Sequence, residues 1–536
     1  MRMSSALNQL RRRATREDGF TLIFAIGAML ITSLLVFASF TFTINDVHLS
    51  YHNTLQKQAF LAAATGVQEY EHKLQVNDDY WETACTGPEG PVSGEPTETY
   101  KTSVEPANGQ SACSTANPFG TMIEKAGANE NTFRIKSVGT AGGVHRSLIA
   151  TFRVGGFLDF AYFTQYEDED PYLSKRSPAE CERYYEEAGS KRSNSCGNIE
   201  FVAEDSVNGP VHTDDSALVQ CSPELTFGRE LQTPKDIVEI NHGTWSTSET
   251  TAKGPSESPC SGSGPTYFTT TGKFSEGPEL RAPQSDSSVS AYVEPGYEFT
   301  GRTKIKLTGE TMTVENANFN GGTPKSGVEL PKNGLIFVST GTSGCNYIYS
   351  NTSGGSDTAA TYAEESECGS VYVEGKYSKS LTIAAETDVV INGNILPTGV
   401  SVTAGTPPPA PSGTAVLGLM ATRFVRIYHP CSGGTNQTSG PAGGYLSNPF
   451  IYAGMLSTSN SVLVDNYNCG SVMGELNIYG ALAQKFRGIV GVAGNTSGYI
   501  KDYNYDERLA TDEPPYFLSP LDSGWVIVRE TAPTGG

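Results

Sequence analysis

The most constraining feature of the sequence is a run of 25 residues without a charge, from Phe20 to Ile44. A helix of about 20 residues crosses the roughly 30 Å hydrocarbon core of a bilayer, so this run is long enough to span a membrane. Arginines precede the run and Asp46 follows it. Because a positively charged flank stays in the cytoplasm, the pattern predicts a single-pass protein with its N-terminus inside and its remainder outside. A secretory signal peptide is the alternative, but its apolar core has only about 7–15 residues.

The predicted helix continues beyond the membrane. No proline lies between Met1 and Gly87, so no residue forces the helix to stop at the bilayer surface. Apolar residues then recur at steps of three and four and form one apolar stripe, namely Val47, Tyr51, Leu55, Ala59, Ala62, Ala63, Val67, Tyr70 and Leu74. We therefore predict one helix over residues 20–78, transmembrane at 20–44 and amphipathic beyond. From Phe20 to Leu74 it would be roughly 80 Å long, at about 1.5 Å per residue.

The composition of the 536-residue chain excludes some classes of partner and structure. Lys and Arg number 37 against 58 Asp and Glu, which gives a formal net charge of −21. A nucleic-acid interface needs Lys and Arg to neutralise phosphates, so we expect no nucleic-acid partner. The hydrophobic content of 37% is too high for a disordered chain. The 58 glycines, together with many Ser and Thr, favour turns and strands over helix bundles.

Residues 79–154 predict a small β-containing head after the helix. Residues 132–140 and 146–154 alternate in strand fashion on either side of Gly142 and Gly143, which predicts a hairpin. Such a hairpin offers a surface for the outer half of the helix. The fold class expected for the whole chain is α+β, mainly β.

Residues 155–536 predict a β-rich region of short strands. A loose repeat opens at Gly393, Gly418, Gly454 and Gly480, with spacings of 25, 36 and 26 residues. Spacings in this range suit the coils of a β-solenoid, a parallel β-helix in which each coil stacks on the next. The alternative is one or more β-sandwich domains, which also carry frequent turn signals. At the C-terminus, the aromatic and charged stretch from Lys501 onwards is expected to cap the stack.

The ten cysteines fall into sequential couples, and none belongs to a C-x-x-C motif. In an exported chain an even number of cysteines at such spacings suggests disulfide bonds. Sequence does not fix connectivity, but pairing of neighbours is the simplest scheme: Cys85 with Cys113, Cys181 with Cys196, Cys221 with Cys260, Cys345 with Cys368, and Cys431 with Cys469. No Cys/His spacing resembles a zinc site, so we expect neither a metal nor a cofactor.

Two polar clusters contain residue types that also occur in catalytic or metal-binding sites. His212, Asp214 and Asp215 place an imidazole near two carboxylates, the groups used in general acid–base hydrolysis of polysaccharides. Asx-type turns use the same residue types, so a structural role is expected there. The run from Glu167 to Asp170 lacks the spacing of a calcium loop and is expected to be a solvated charged loop. The sequence thus favours a protein that is not an enzyme.

The N-terminal motif resembles the prepilin signal of type IV pilins and pseudopilins. The basic leader, residues 1–19, ends in Arg-Glu-Asp-Gly19 and is followed by Phe20-Thr21-Leu22-Ile23-Phe24 and the apolar run. The resemblance implies that a prepilin peptidase cuts after Gly19 and that the new N-terminal Phe20 is methylated. It also implies that residues 20–24 take part in packing helix against helix during assembly. The resemblance covers roughly residues 1–78.

Typical major pilins carry a Glu at the fifth position after cleavage. This chain differs from that pattern, because it has Phe24 there. A carboxylate inside lipid costs several kcal/mol unless a partner stabilises it. Some minor pilins and pseudopilins that sit at the tip, with no subunit above them, are similar to this chain in lacking the Glu. A head as large as residues 79–536 also suits a tip rather than a repeated subunit.

These features together predict a structural and adhesive cell-surface protein: a minor or tip subunit of a type IV pilus or pseudopilus. The resemblance implies other pilin subunits, a prepilin peptidase, an assembly platform and the membrane as partners, with a surface or polysaccharide as the ligand of the head. The first alternative is a membrane-anchored binding protein that never enters a filament. The second is a polysaccharide-acting enzyme built on a β-solenoid.

Overall fold

The computed structural model describes residues 18–77, 80–124, 132–187, 190–193, 195–249, 251–255, 257–347, 349, 358–492, 494, 496–510, 512–521 and 525–531. The predicted leader, residues 1–19, lies outside them up to residue 17. The chain forms two compact units. The first comprises Met1–Glu124, Thr132–Phe152 and Arg529–Gly536, and the second comprises Lys125–Asn131 and Arg153–Val528. An apolar N-terminal helix followed by a mostly β region confirms the expected α+β class at this level.

Within the described residues the helices are few and, apart from the first, short. The α-helices are α1 (Asp18–Val76), α2 (Tyr80–Thr83), α3 (Pro118–Thr121), α4 (Pro171–Ser174), α5 (Pro178–Cys181) and α6 (Thr358–Glu364). Single 3₁₀ turns occur at Phe157–Asp159, Ser287–Tyr292, Asn320–Gly322, Glu365–Glu367 and Glu507–Ala510.

Strands make up most of the remaining regular structure. The earlier strands are β1 (Thr86–Val92), β2 (Glu95–Glu105), β3 (Thr132–Ala141), β4 (Val144–Val154), β5 (Tyr162–Glu169), β6 (Glu186–Glu187), β7 (Ser190–Lys191), β8 (Glu200–Phe201), β9 (Ser206–Asn208), β10 (Val211–Thr213), β11 (Ala217–Val219), β12 (Thr226–Phe227), β13 (Val238–Ile240), β14 (Thr244–Trp245), β15 (Thr266–Tyr267) and β16 (Ser275–Glu276). The later strands are β17 (Glu298–Thr300), β18 (Thr303–Gly309), β19 (Thr311–Asn316), β20 (Lys325–Glu329), β21 (Leu335–Ser339), β22 (Val371–Tyr377), β23 (Leu381–Ala385), β24 (Val389–Pro397), β25 (Leu417–Ala421), β26 (Val425–Ile427), β27 (Cys431–Ser432), β28 (Thr435–Asn436), β29 (Phe450–Ser457), β30 (Val462–Val464), β31 (Val472–Arg487), β32 (Gly498–Tyr505) and β33 (Trp525–Thr531).

In the first unit, the outer half of α1 packs on a sheet of order β1-β2-β3-β4-β33. The side chains fully buried on α1 are Ala59, Ala62, Ala63, Val67, Tyr70 and Leu74, all members of the predicted stripe. Tyr51 is 63% exposed, so this part of the stripe does not pack on the sheet. The hairpin turn at Gly142 meets the side chain of Leu55, and Tyr51 lies one helical turn further towards the N-terminus.

The helix and sheet approach closely because the facing residues are small. A Cβ atom on Gly139 would lie 2.0 Å from the carbonyl oxygen of Ala59 and 2.3 Å from the amide nitrogen of Ala63. The Ser137 hydroxyl, also on β3, donates a 2.7 Å hydrogen bond to the carbonyl oxygen of Ala63. The contact therefore joins backbone to backbone, with a buried hydroxyl fixing its register.

An aromatic cluster fills the rest of this core. The Phe133 ring stacks on Phe152 at a centroid distance of 5.2 Å and on Trp81 at 5.5 Å. Tyr70 of α1 lies 6.1 Å from Phe133, so the cluster joins the helix to β3 and β4. The two strands are connected through Gly142 and Gly143, whose φ values of 52° and 82° suit the tight turn of a hairpin.

In the second unit, most strands pair in parallel with strands that lie one or more loops away in the sequence. The first ladder has the order β16-β13-β10-β5-β31-β29-β25-β23-β21-β17. The second has the order β15-β12-β9-β32-β31, and the third has the order β30-β26-β24-β22-β18. A shorter ladder joins β8, β11 and β14. Buried Val, Ile, Leu and aromatic side chains of these ladders form one core.

The order of the first ladder differs from the order of the chain. The chain passes from β5 through β10 and β13 to β16, and then residues 277–297, the return segment, lead to β17. From β17 the strands run back through β21, β23, β25 and β29 to β31, which pairs with β5. Two stretches of chain therefore meet in the middle of the ladder, at β5 and β31.

The return segment lies across the outside of this ladder. Its buried Leu280, Ala282 and Val289 pack on side chains from β5, β21, β23, β25, β29 and β31. Two hydrogen bonds also hold the return segment. Ser459 donates to the carbonyl oxygen of Gln284 at 2.7 Å, and Thr422 donates to Asp286 at 2.7 Å. The segment thus ties successive strands together.

The glycine repeat seen in the sequence corresponds partly to this pairing. Gly418 on β25 is the direct neighbour of Gly454 on β29. Gly480 on β31 lies opposite Ala453, one residue out of step, and Gly393 lies on β24 in the third ladder. Of the three spacings, the 36-residue one therefore equals the separation along the chain of two directly paired residues.

The stretch from Lys501 onwards, expected from the sequence to cap the stack, begins within a ladder. Residues Gly498–Tyr505 form β32, which pairs with β31 on one side and β9 on the other. A strand with partners on both sides lies within a ladder and not at its end. The sequence does not show this, since β9 lies far away along the chain.

Candidate assembly helix and charged clusters

The inner half of α1 presents apolar side chains that are exposed. The segment Leu22–Ser39 has a mean hydropathy of 2.4, and none of it is buried. Leu22, Ile23 and Phe24 are 61%, 71% and 73% exposed. A helix so apolar on every side requires lipid or other helices around it. Length and composition suffice for it to cross a membrane.

The residues predicted for processing lie on α1. The described part of the helix runs from Asp18 to Val76, so Gly19, Phe20 and Thr21 belong to the same continuous helix as Phe24. The side chains of Gly19, Phe20 and Thr21 lie outside the described residues. α1 has no break between the apolar run and the residues packed on the sheet, which is the feature that the absence of proline predicted.

A groove beside the outer half of α1 was missed by the sequence analysis. It has a volume of about 540 Å³ and is lined by Asn53, Gln56, Lys57, Phe60, Leu61 and Arg146. Phe60 and Leu61 are 47% and 61% exposed, so apolar surface lies between two cationic side chains. Arg146 comes from β4, and only the folded hairpin brings it to Lys57. No local pattern in the sequence signals this groove.

The structure contains the five cysteine pairs suggested by sequence order. The Cα–Cα distances are 5.8 Å for Cys85–Cys113, 5.6 Å for Cys181–Cys196, 5.6 Å for Cys221–Cys260, 4.6 Å for Cys345–Cys368 and 6.3 Å for Cys431–Cys469. Asp168 lies within 4.8 Å of Cys181 and Cys196, a grouping that would suit a metal. Both sulfurs are in a disulfide, however, so neither is a thiolate ligand.

The His212 cluster lies inside the fold. His212, Asp214 and Asp215 are all fully buried. The imidazole bonds to Asp214 at 2.9 Å through Nε2 and to Glu239 at 2.8 Å through Nδ1. Burial opposes the imidazolium, but the hydrogen bonds to Asp214 and Glu239 raise the pKa of His212 above its usual value. Because no polymer reaches a fully buried imidazole, this arrangement supports structure over hydrolysis.

The acidic run Glu167–Asp170 is not the solvated loop expected from the sequence. Glu167, Asp168 and Asp170 are 1%, 0% and 0% exposed, and the run ends β5 in the middle of the first ladder. Arg487 contacts Glu167 at 2.8 Å, and Asn460 donates to Asp170 at 2.9 Å. These partners lie about 300 residues along the chain, so local sequence does not reveal them.

A second buried charge cluster surrounds Arg426 on β26. The guanidinium is fully buried and bonds to Asp465 at 2.9 Å, to Asp388 at 3.0 Å and to Glu365. One cation thus faces three carboxylates. Burial raises the pKa of Glu365 and of Asp388, and Arg426 opposes that rise. The cluster joins β26, the residue before β24 and the residue after β30 to the 3₁₀ turn before β22.

Comparisons with known proteins give little support beyond these observations. No protein-family model matches the sequence, and no curated protein matches it. Among solved structures, the chain is similar to the competence-associated pilin ComZ from Thermus thermophilus. The similarity covers 90% of this chain and 98% of that chain, at 12% sequence identity and a TM-score of 0.28. A likeness at this TM-score carries no argument about the function of the chain.

Proposed function

We propose that this protein is a pilin-like subunit of a cell-surface filament, assembled through α1 and carrying a β-rich head outside the cell. The observation that supports this most is the unbroken helix Asp18–Val76, exposed and apolar from Leu22 to Ser39 and packed on a sheet from Ala59 onwards. A helix that only anchors a domain has no need to continue without a break into that domain. Helices of this kind pack side by side once they leave lipid.

The finer parts of the proposal concern processing and position. Cleavage after Gly19 removes the basic leader, residues 1–19, and leaves Phe20 as a methylated N-terminus. Residues Phe20–Phe24 then lie at the inner end of the helix and contact other pilin subunits. Phe24 in place of a carboxylate favours a minor or tip subunit. A prepilin peptidase and an assembly platform are the required partners, and the subunit is N-in and C-out in the membrane before assembly.

The head has two proposed parts, a pilin-like head at residues 79–154 and a β-solenoid at residues 155–536. The parallel ladders support a solenoid over the β-sandwich alternative, because sandwiches are built from antiparallel sheets. A shared apolar core between ladders is what stacked coils produce. The role of this head is structural and adhesive, with a surface or polysaccharide as its ligand.

Shearing of surface material tests whether the protein enters a filament. We expect the wild-type chain in the sheared fraction and a Gly19→Leu variant in the membrane fraction, because a bulky side chain at the cleavage position blocks removal of the leader. Gly27→Leu is the matched control: it adds the same side chain to α1 where a Cβ meets nothing within 4 Å. The control should be processed like the wild type. Wild-type protein confined to membranes would instead support an anchored binding protein.

A further inference from the structure

Lys501 and Asp205 form a close ion pair between neighbouring parallel strands of the second unit. Asp502 on β32 is the direct neighbour of Ser206 on β9, so the residues before them, Lys501 and Asp205, stand at the same level. The Lys501 Nζ atom lies 2.6 Å from Oδ2 of Asp205. The two side chains are only 12% and 4% exposed. The amine and the carboxyl group are thus held together with little water.

The surroundings of Lys501 disfavour its ammonium form. Burial lowers the pKa of Lys501, the carboxylate of Asp205 opposes the shift, and the guanidinium of Arg487 adds to it. Arg487 is itself fixed over the Phe201 ring at 3.6 Å. Transfer of one proton from Nζ to Oδ2, across 2.6 Å, converts two buried charges into an amine and a carboxylic acid. A neutral amine is a nucleophile, whereas an ammonium is not.

A third ionisable group, Glu200, lines a cavity together with Lys501 and Asp205. The cavity has a volume of about 230 Å³. The Oε1 atom of Glu200 is buried and has no hydrogen-bond partner among the described residues. Burial raises the pKa of Glu200, so its acid form persists at higher pH than usual. The cavity is large enough for a water molecule to leave.

We propose that Lys501 and Asp205 form an intramolecular amide cross-link, with Glu200 transferring the proton to the departing oxygen. Nζ attacks Cγ of Asp205, the Nζ–Cγ bond forms and one Cγ–O bond breaks. The ammonium and carboxylate together lose one water, so three hydrogens on Nζ become one on the amide and two on the water. The reaction needs neither an oxidant nor a co-reactant. The bond joins the two stretches of chain that meet at β32 and β9, and it is independent of filament entry.

Mass spectrometry of the purified full-length chain tests this directly. After reduction of the disulfides and proteolysis, we expect a branched peptide containing both residues, about 18 Da lighter than the sum of its two components. Separate recovery of the Lys501 and Asp205 peptides at unmodified mass would overturn the proposal, and this measurement needs no variant.

Variants separate the roles of the three residues. Lys501→Arg retains the charge but cannot form the bond, so the branched peptide should be absent. Asp205→Asn should give the same branched peptide, because ammonia leaves in place of water. Glu200→Gln should slow cross-linking by about 100-fold, the size expected for loss of a general acid. Cross-linking of Glu200→Gln at the wild-type rate would remove Glu200 from the scheme.

Discussion

Replacing Gly139 by alanine is expected to detach α1 from its sheet. The new Cβ atom would lie 2.0 Å from the carbonyl oxygen of Ala59 and 2.3 Å from the amide nitrogen of Ala63, and no Cβ atom tolerates such distances. The obstacles are backbone atoms, which a change of side-chain rotamer does not move. We expect a loss of about 3 kcal/mol or more, the upper end for overpacked cores. Hydrogen exchange should show loss of protection over residues 59–74.

Gly90→Ala is the matched control for this experiment. Gly90 lies on β1 of the same sheet, and its added Cβ would meet only the Tyr100 hydroxyl at 3.8 Å, an ordinary contact. The control should therefore keep the wild-type exchange pattern. Protection retained at residues 59–74 in Gly139→Ala would show that the helix does not pack on β3 as described.

Replacing Arg426 by methionine is expected to destabilise the second unit strongly. The substitution leaves Glu365, Asp388 and Asp465 buried without their cation. Removing one side of a buried ion pair costs about 3–5 kcal/mol. Urea unfolding of the variant and the wild type, at one ionic strength, measures the difference. Lys306→Met is the control, since Lys306 pairs with Glu374 with 62% and 34% of the side chains exposed. We expect the control to lose at most about 1 kcal/mol.

The loss in Arg426→Met should depend on pH. Burial already raises the pKa of Glu365 and Asp388 in the folded protein, and Arg426 opposes that rise, so its removal raises both values further. A carboxyl group whose pKa is higher in the folded than in the unfolded state destabilises the fold increasingly as pH rises above the unfolded value. The deficit should therefore be smaller at pH 5 than at pH 8. An equal deficit at both values would contradict the description of this cluster.

Local sequence patterns predicted the parts of the fold that depend on neighbouring residues. The absence of proline and the stripe from Ala59 to Leu74 predicted the unbroken helix and the face it buries, since both depend on the helical repeat. The five cysteine couples follow chain order for a related reason, because each closes a loop between nearby segments.

The features that sequence reasoning missed depend on distant partners. The run Glu167–Asp170 has the composition of a solvated loop, and its burial depends in part on Arg487 and Asn460, which lie about 300 residues away. The pairing of β32 with β9 cannot be predicted from the sequence either, because a three-residue strand such as β9 carries no signal of its partner. The groove between Lys57 and Arg146 arises only when β4 is placed beside α1.

The central claim is that α1 enters a filament after its leader is removed, and the N-terminus of mature protein tests it most directly. Mass analysis of the N-terminal peptide from surface material should show a chain that begins at Phe20, with a methyl group on its amine. Such a chain would retain the whole of the apolar segment Leu22–Ser39 for packing against other subunits. A mature chain that keeps the basic leader, or one that begins near residue 40, would contradict the account.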